Sequence, residues 1–289
     1  MAISLEDIKK LRERTGAGMA DCKKALEEAN GDMDAAIEVL RTKGAATAAK
    51  RADKSADEGV VATAVSADNK SAAIVEINCE TDFVARNNEF SSFAENLAQV
   101  VLNSNPANAE ELAALEVNGM TVEQSLNELL AKFSERIEVR RFTRIETESG
   151  FVTDYVHSGA HLAVLIELAH AGDDNESSKA IGRDVAMQVA AMSPSYARRD
   201  EVPTEDLEKE RKIYREQLAG ENKPAEIVER IVTGRVEKFY EENVLLEQSF
   251  VKDSSKSVAD ALKEHSPETT VTRFIRFNLG DIVEETAQA

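Results

Sequence analysis

Apolar residues at the start of the chain repeat at helical spacing in three successive segments. Leu5, Ile8 and Leu11 form the first apolar face, and Ser4 with Asp7 resembles a helix-capping pair. Gly16 and Gly18 break this helix. The second predicted helix carries Met19, Cys22, Leu26 and Ala29, and the third, capped by Asp32, carries Met33, Ile37 and Leu40 and ends near Gly44. The pattern predicts a three-helix module over residues 1–45.

A different pattern follows this module. Residues 46–58 are rich in Ala and charge without a large apolar side chain, which is typical of a linker. From Gly59 apolar and polar residues alternate through Val65 and again over Ala73–Ile77, with a turn around Asp68-Asn69, and this predicts a β-hairpin. Two amphipathic helices and a strand over Ile137–Ile145 complete a unit over residues 59–147. The helices carry Phe90, Phe93, Leu97 and Val100, then Val122, Leu126, Leu129 and Phe133.

The second half of the chain repeats this arrangement weakly. Strand patterns over Phe151–His157 and Leu162–Leu168 lead into a helix that carries Ile181, Val185 and Val189. In both halves an apolar strand precedes an amphipathic helix. We therefore predict an α+β fold with two related subdomains built on antiparallel sheets, over 59–147 and over 148–203 plus 245–282.

Residues 204–244 interrupt the second unit with two helical patterns, one on each side of the break at Gly220–Pro224. Arg211 and Arg235 fall where the apolar stripes would continue, so the seam between the helices is narrow. This is typical of an antiparallel coiled coil that projects from the body. Strands at Phe250-Val251 and Thr272–Phe277 close the second unit, and residues 283–289 form a tail that we expect to fray.

Charge and composition narrow the class of function. The chain has 289 residues, enough for about two domains, and 35 basic against 54 acidic side chains give a net charge of -19. Because this charge repels phosphate and anionic lipid, we expect neither nucleic acid nor a membrane as a direct partner. The beginning of the chain resembles neither a signal nor a transit peptide, so we expect a cytoplasmic protein.

The sequence shows no pattern typical of an enzyme. The two glycines at 16 and 18 follow no strand and precede no Gly-Lys-Ser/Thr, so a phosphate loop is not indicated. His157 and His161 flank Gly159 in a strand context, which does not suit joint metal ligation. Cys22 and Cys79 have no CxxC spacing, and we expect both to pack in cores. We predict no covalent chemistry and no cofactor.

The segment Glu76–Ala85 carries the strongest candidate site. A strand ends at Cys79, Thr81 or Asp82 can cap the next helix, and Phe83 and Val84 fall in its first turn. Spacing alone leaves two interpretations open. Asp82 is a cap and Phe83 packs into the core, or Phe83 is an exposed wedge for another protein, with a carboxylate beside it.

Two segments resemble the signature motifs of the elongation factor Ts family. They are LRERTGAGMADCKKAL, over Leu11–Leu26, and EINCETDFVA, over Glu76–Ala85. The similarity extends across the chain, including the helical insertion and the strand Arg273–Phe277. The resemblance implies a ubiquitin-associated-like amino-terminal module, a core of two related subdomains and a protruding coiled coil. It also implies an exchange factor that binds elongation factor Tu in its GDP-bound and nucleotide-free states.

The resemblance assigns roles to particular residues. Thr81, Asp82, Phe83 and Val84 are implied to enter the GTPase domain of the partner and dislodge its magnesium ion. Arg12, Met19 and Cys22 are implied to lie at or near that domain. His157 corresponds to the family's partner-contacting His, although the segment departs from the family pattern at Ala160, His161 and Ala163.

One alternative function stays open from the sequence. A ubiquitin-associated-like adaptor or holdase without exchange activity would bind its partner through residues 1–45 alone. The sequence also leaves the assembly open, since a homodimer and a two-plus-two complex with the partner are both compatible with it.

Overall fold

The computed structural model describes residues 3–15, 17–51, 53–169, 176–220 and 223–281. Gly16, the tip of the predicted helical hairpin and the predicted tail at 283–289 lie outside these ranges. The described residues form a mixture of helices and small antiparallel sheets, which confirms the α+β class. No helix in these ranges is long and apolar enough to cross a membrane.

The amino-terminal module contains the three predicted helices, α1 (Leu5–Thr15), α2 (Met19–Glu28) and α3 (Met33–Arg51). Asp32 starts α3, because its Oδ1 accepts hydrogen bonds from the N–H groups of Asp34 and Ala35 at 3.0 and 2.9 Å. Their shared core is aliphatic and is centred on Leu11, Leu26 and Leu40.

The expected end of the third helix near Gly44 is wrong. The helix continues to Arg51, into the predicted linker, in a stretch rich in Ala, which has the highest helix propensity. Gly44 is buried where α3 crosses α7 (Val122–Phe133), and a Cβ there would lie 2.5 Å from the backbone oxygen of Asn127. The glycine therefore allows two helices to approach closely and does not end one.

The first half of the core is a hairpin followed by helices and a returning strand. Its elements are β1 (Glu58–Val65), β2 (Ser71–Cys79), α4 (Asp82–Ala85), α5 (Asn88–Ser104), α6 (Ala109–Ala114), β3 (Glu116–Val117), β4 (Met120–Thr121), α7, and β5 (Ile137–Glu146). The strands β1, β2 and β5 form an antiparallel sheet with β2 in the centre.

The second half has the same order of connections. Its elements are β6 (Gly150–Val156), β7 (Leu162–Ala169), α8 (Glu176–Met192), α9 (Thr204–Leu218), α10 (Ala225–Asn243), β8 (Ser249–Phe250), β9 (Asp253–Ser257), α11 (Val258–His265) and β10 (Thr270–Asn278). Here β7 is the central strand between β6 and β10. In each half a hairpin leads into helices and the last strand pairs with the second strand of the hairpin. The helix α11 was not predicted.

Both faces of the first sheet are covered at its centre, so β1 and β2 are more deeply buried than simple alternation predicts, whereas β5 is mostly half-buried. Every residue of β2 is buried. One face packs on α5 through residues such as Val75 and Ile77. The other face packs on the second sheet, where Val61, Ile74 and Leu165 share one apolar cluster. The two sheets therefore lie face to face, with helices outside.

The inserted helices α9 and α10 pack against each other along a narrow apolar seam. Within its described residues α9 buries only Leu218, whereas α10 buries Val232, Val236 and Tyr240. The seam is bordered by charged contacts, including Arg215 Nε to Glu229 Oε1 at 2.8 Å. The guanidinium of Arg235 lies over the ring of Tyr214. This contact agrees with the predicted place of Arg235 at the edge of the apolar stripe.

Candidate functional site

The candidate site is the corner between β2 and α4. Thr81 precedes α4 in an extended conformation, with φ -129° and ψ 152°, but its side chain does not cap the helix. Instead its N–H and its hydroxyl donate to the two carboxylate oxygens of Glu135, at 3.0 and 2.6 Å. No cap hydrogen bond from the Thr81 side chain is present, and its hydroxyl is turned instead toward this carboxylate, which comes from the loop between α7 and β5.

Phe83 points away from the core. Among the large apolar side chains that the structure describes it is the most exposed, at 84%. The interpretation of Phe83 as a core residue is therefore wrong, and the exposed-wedge geometry is present. Aromatic side chains are enriched in protein interfaces, so an exposed ring on a helix with a buried inner side is suited to contact another protein.

The residues after Phe83 face the opposite way. Val84 is 6% exposed and Ala85 is 3% exposed, and both belong to the apolar cluster between α5 and the first sheet. Val84 was predicted to contact the partner; its side chain is enclosed by its own subunit, and the contact stays a prediction. Its role in the corner is to anchor α4, which fixes the direction in which Phe83 points.

Asp82 provides an accessible charge next to the ring. Its carboxylate lies 3.1 Å from Nη2 of Arg86, and the two side chains are 39% and 78% exposed. Such surface ion pairs are worth about 1 kcal/mol or less, because water and salt screen them. The carboxylate of Asp82 can therefore exchange Arg86 for another partner at little cost.

The three predicted residues of the amino-terminal module lie in different environments. Arg12 is exposed on α1, and Met19 is half-buried against the core of the module. Cys22 is fully buried, its thiol donates to the backbone oxygen of Ala17 at 3.5 Å, and burial raises its pKa. Cys22 therefore packs in the core of the module, as its place on the apolar stripe predicts, and its location at or near the partner's GTPase domain stays a prediction.

His157 is exposed in the turn between β6 and β7. Its Nδ1 lies 2.9 Å from the hydroxyl of Tyr155, and the guanidinium of Arg183 stands over that Tyr ring. The turn is joined to the first sheet, because the carbonyl of Ala160 accepts the N–H of Val61 at 2.6 Å. The two halves of the core therefore fix the place of His157 together.

A groove of about 550 Å³ lies beside this turn. It runs between β1, α5 and the end of β6, and its lining includes Thr63, Glu95, Val156 and Ala160. The groove therefore lies between the β6–β7 turn and the side of α5 that carries Glu95. Neither Phe83 nor the amino-terminal module lines it. Within the described ranges, no group of three or more His, Cys, Asp or Glu side chains is arranged to hold a metal ion.

The sequence interpretation missed the residues that hold the corner. Glu135 is separated by 54 positions from Thr81, its hydrogen-bond partner. Arg51 is separated by 29 positions from Glu80, which it contacts. No local pattern joins such distant residues. Arg51 also lies in the stretch that was interpreted as a linker, so its helical placement could not be anticipated.

Comparison with known proteins gives a consistent picture. A family model described as elongation factor TS matches residues 80–281. The chain is 49% identical over 288 residues to elongation factor Ts of Clostridium perfringens, covering 98% of this chain and 95% of the relative. It is 46% identical to elongation factor Ts of Prosthecochloris aestuarii, with 96% and 99% covered. For elongation factor Ts of Aquifex aeolicus the identity is 47%, with 98% and 99% covered.

Proposed function

The chain belongs to the elongation factor Ts family of translation factors, and on this premise we propose that it is the guanine nucleotide exchange factor of elongation factor Tu. In this proposal it binds the GDP-bound partner, displaces the partner's magnesium ion and promotes GDP release. The observation that carries the proposal is the ring of Phe83, which is 84% exposed although the next two residues, Val84 and Ala85, are buried.

The mechanism follows from how a GTPase holds its nucleotide. Magnesium and backbone donors neutralise the diphosphate, so withdrawal of the ion leaves phosphate charge uncompensated and weakens GDP binding. We propose that Phe83 inserts between elements of the partner's GTPase domain and shifts the segment that holds the ion. Val84 and Ala85 are packed in the core and anchor α4. The ring of Phe83 can therefore stay in place while the partner's segment moves.

Asp82 has a secondary role in this mechanism. Its carboxylate is accessible and only weakly paired with Arg86, so it can accept hydrogen bonds from the displaced segment of the partner. Loss of Asp82 therefore removes one polar contact, whereas loss of Phe83 removes the wedge itself.

Further contacts extend the proposed interface. Arg12 and Met19 on the amino-terminal module and His157 in the β6–β7 turn are accessible or partly accessible, and we propose that they add binding area. Cys22 and Val84 support these surfaces from within. The net charge of -19 supports a protein partner over nucleic acid, and the proposal places the protein in the cytoplasm with the translation machinery.

Exchange needs no covalent step from this chain. Binding energies alone couple the two ligands of elongation factor Tu, and linkage makes the coupling reciprocal, so GDP weakens the exchanger as much as the exchanger weakens GDP. The exchanger acts catalytically because it leaves when a nucleotide rebinds.

The test is release of a fluorescent GDP from purified elongation factor Tu in excess unlabelled GDP. A substoichiometric amount of the protein should accelerate release of all the bound nucleotide, since each molecule acts repeatedly. If release stays at its intrinsic rate while the two proteins still bind each other, the exchange function is refuted and an adaptor or holdase is favoured.

A further inference from the structure

Two carboxylates link the segment Glu80-Thr81, which leads to Phe83, with the segment Glu135-Arg136. Each carboxylate accepts hydrogen bonds from the opposite segment. Glu135 accepts the N–H and the hydroxyl of Thr81, at 3.0 and 2.6 Å. In the opposite direction, Glu80 accepts the N–H of Arg136 at 2.6 Å. Adjacent residues on each segment thus satisfy a backbone donor of the other segment. We call Glu80, Thr81, Glu135 and Arg136 the carboxylate clasp.

Thr81 is held by hydrogen bonds at its N–H, its hydroxyl and its carbonyl. Besides the two bonds to Glu135, its carbonyl accepts the thiol of Cys79 at 3.2 Å and the N–H of Ala85 at 3.2 Å. Every polar group of Thr81 is therefore bonded. Because Phe83 is only two residues further on, the direction of its ring depends on the backbone at Thr81.

The long helix α3 reaches the same place. Nη1 of Arg51, the last residue of α3, lies 2.6 Å from both carboxylate oxygens of Glu80. The side chains of this pair are 34% and 17% exposed. Burial opposes ionisation of Glu80, but the hydrogen bonds from Arg136 and Arg51 outweigh it and hold its pKa below the ordinary value. Glu80 is thus ionised at neutral pH.

Charged hydrogen bonds of this kind are stronger and more directional than neutral ones. A wedge that must displace part of another protein has to resist the opposing force, and preorganised support lowers the cost of holding it in the productive orientation. The buried contacts of Val84 hold one side of α4, and the carboxylate clasp holds the backbone at Thr81, immediately before α4 begins.

We propose that Glu135 is a positioning residue for nucleotide exchange, acting through its two hydrogen bonds to Thr81 to hold Phe83 in the orientation that the partner requires. This inference rests on the proposed exchange function. It assigns to a half-buried carboxylate on the α7–β5 loop a part in exchange that does not depend on its touching the partner.

The experiment is a double-mutant cycle on stimulated release of fluorescent GDP, with Glu135→Gln, Phe83→Ala and the double variant in the full-length chain. Glutamine retains one acceptor but turns an amide N–H₂ toward one of the two Thr81 donors. We expect Glu135→Gln alone to slow stimulated release by about tenfold, as loss of a charge-assisted hydrogen bond does. In the Phe83→Ala background the same change should have an effect of about twofold or less.

Two further variants sharpen the result. Glu146→Gln is the matched control, since Glu146 lies at the far end of β5 and its carboxylate pairs with Arg144, which is not a member of the carboxylate clasp. It should exchange at the wild-type rate. Thr81→Val removes only the hydroxyl bond and should show a loss of about threefold with the same dependence on Phe83, which provides the test if Glu135→Gln fails to fold.

The outcomes separate the two proposals. If the wild-type protein leaves GDP release at its intrinsic rate, both are overturned. If Phe83→Ala slows release while Glu135→Gln and Thr81→Val do not, the exchange function stands and the positioning role is overturned. The positioning role is also overturned if the loss from Glu135→Gln is equally large with and without Phe83, because a general structural defect would behave in that way.

Discussion

Replacing Phe83 with Ala should abolish most of the stimulated GDP release and leave the fold intact. An aromatic side chain offers roughly 150–250 Å² of surface, and with 84% of Phe83 exposed about 150 Å² is available for burial against a partner. At about 25 cal/mol per Å² this corresponds to about 4 kcal/mol, of which association costs consume a part. Interface anchors typically lose ~2 kcal/mol or more on truncation, which is about 30-fold in rate.

The assay is stopped-flow release of fluorescent GDP over a range of exchanger concentrations, with thermal unfolding measured in parallel. The unfolding midpoint should not change, because the ring lies outside the core. Val251→Ala is the matched control, since Val251 is another large apolar side chain with considerable exposure, 47%. Asp82→Ala should slow release less than Phe83→Ala does. Unchanged release by Phe83→Ala would refute the wedge mechanism.

Three other perturbations test the supporting structure. Gly44→Ala, a change that normally stabilises a helix, should destabilise this protein by about 1–2 kcal/mol in urea unfolding, because the new methyl group would collide with the backbone of α7. A stabilised variant would contradict the close approach of α3 and α7. Ala160→Gly should raise the free energy of unfolding by a few tenths to about 1 kcal/mol, since residue 160 has a φ of 57°, and hydrogen exchange in the β6–β7 turn should slow. The lowered pKa of Glu80 means that the folded state binds its proton less readily than the unfolded chain, so this stabilisation is present at neutral pH and is lost as the pH falls from 4.5 downwards. Glu80→Gln should therefore flatten the acid limb of the stability profile, and an unchanged limb would show that the clasp does not contribute.

Much of the secondary structure follows from local periodicity. The spacing of Phe90, Phe93 and Leu97 places one face of α5 in the core, and the alternation around Val75 defines the central strand. The helical pattern is reliable because burial on one face imposes a fixed repeat on the residues, whereas β2 is buried on both faces and its alternation understates its burial. The sequence also contains a local signal for α11, since Ser257 and Asp260 form a capping box at the start of this helix.

Gly44 shows where local reasoning fails. A glycine after an amphipathic segment predicts a helix end, because it tolerates the conformations found there. The same residue type is also required where two helices touch through their backbones, and only the position of α7 decides between the two roles. The end of α3 could therefore not be read from the segment itself.

The candidate site, too, could be predicted from the sequence only in part. The motif around Phe83 marks the place, but spacing alone leaves a buried and an exposed ring both open, and only the packing of Val84 and Ala85 shows that the ring points outward. The support from Glu135 comes from a loop remote in sequence. Its contribution depends on the return of β5 beside β2, which is a property of the sheet and not of either segment.

The apolar cluster shared by the two sheets determines how the molecule comes apart. Val61 and Ile74 from one half and Leu165 from the other belong to one shared cluster, beside the cluster that each half forms on its own. Melting one half would expose this inner face of the other to water. The two halves are therefore expected to stabilise each other, and either one expressed alone should unfold more readily than it does within the whole chain.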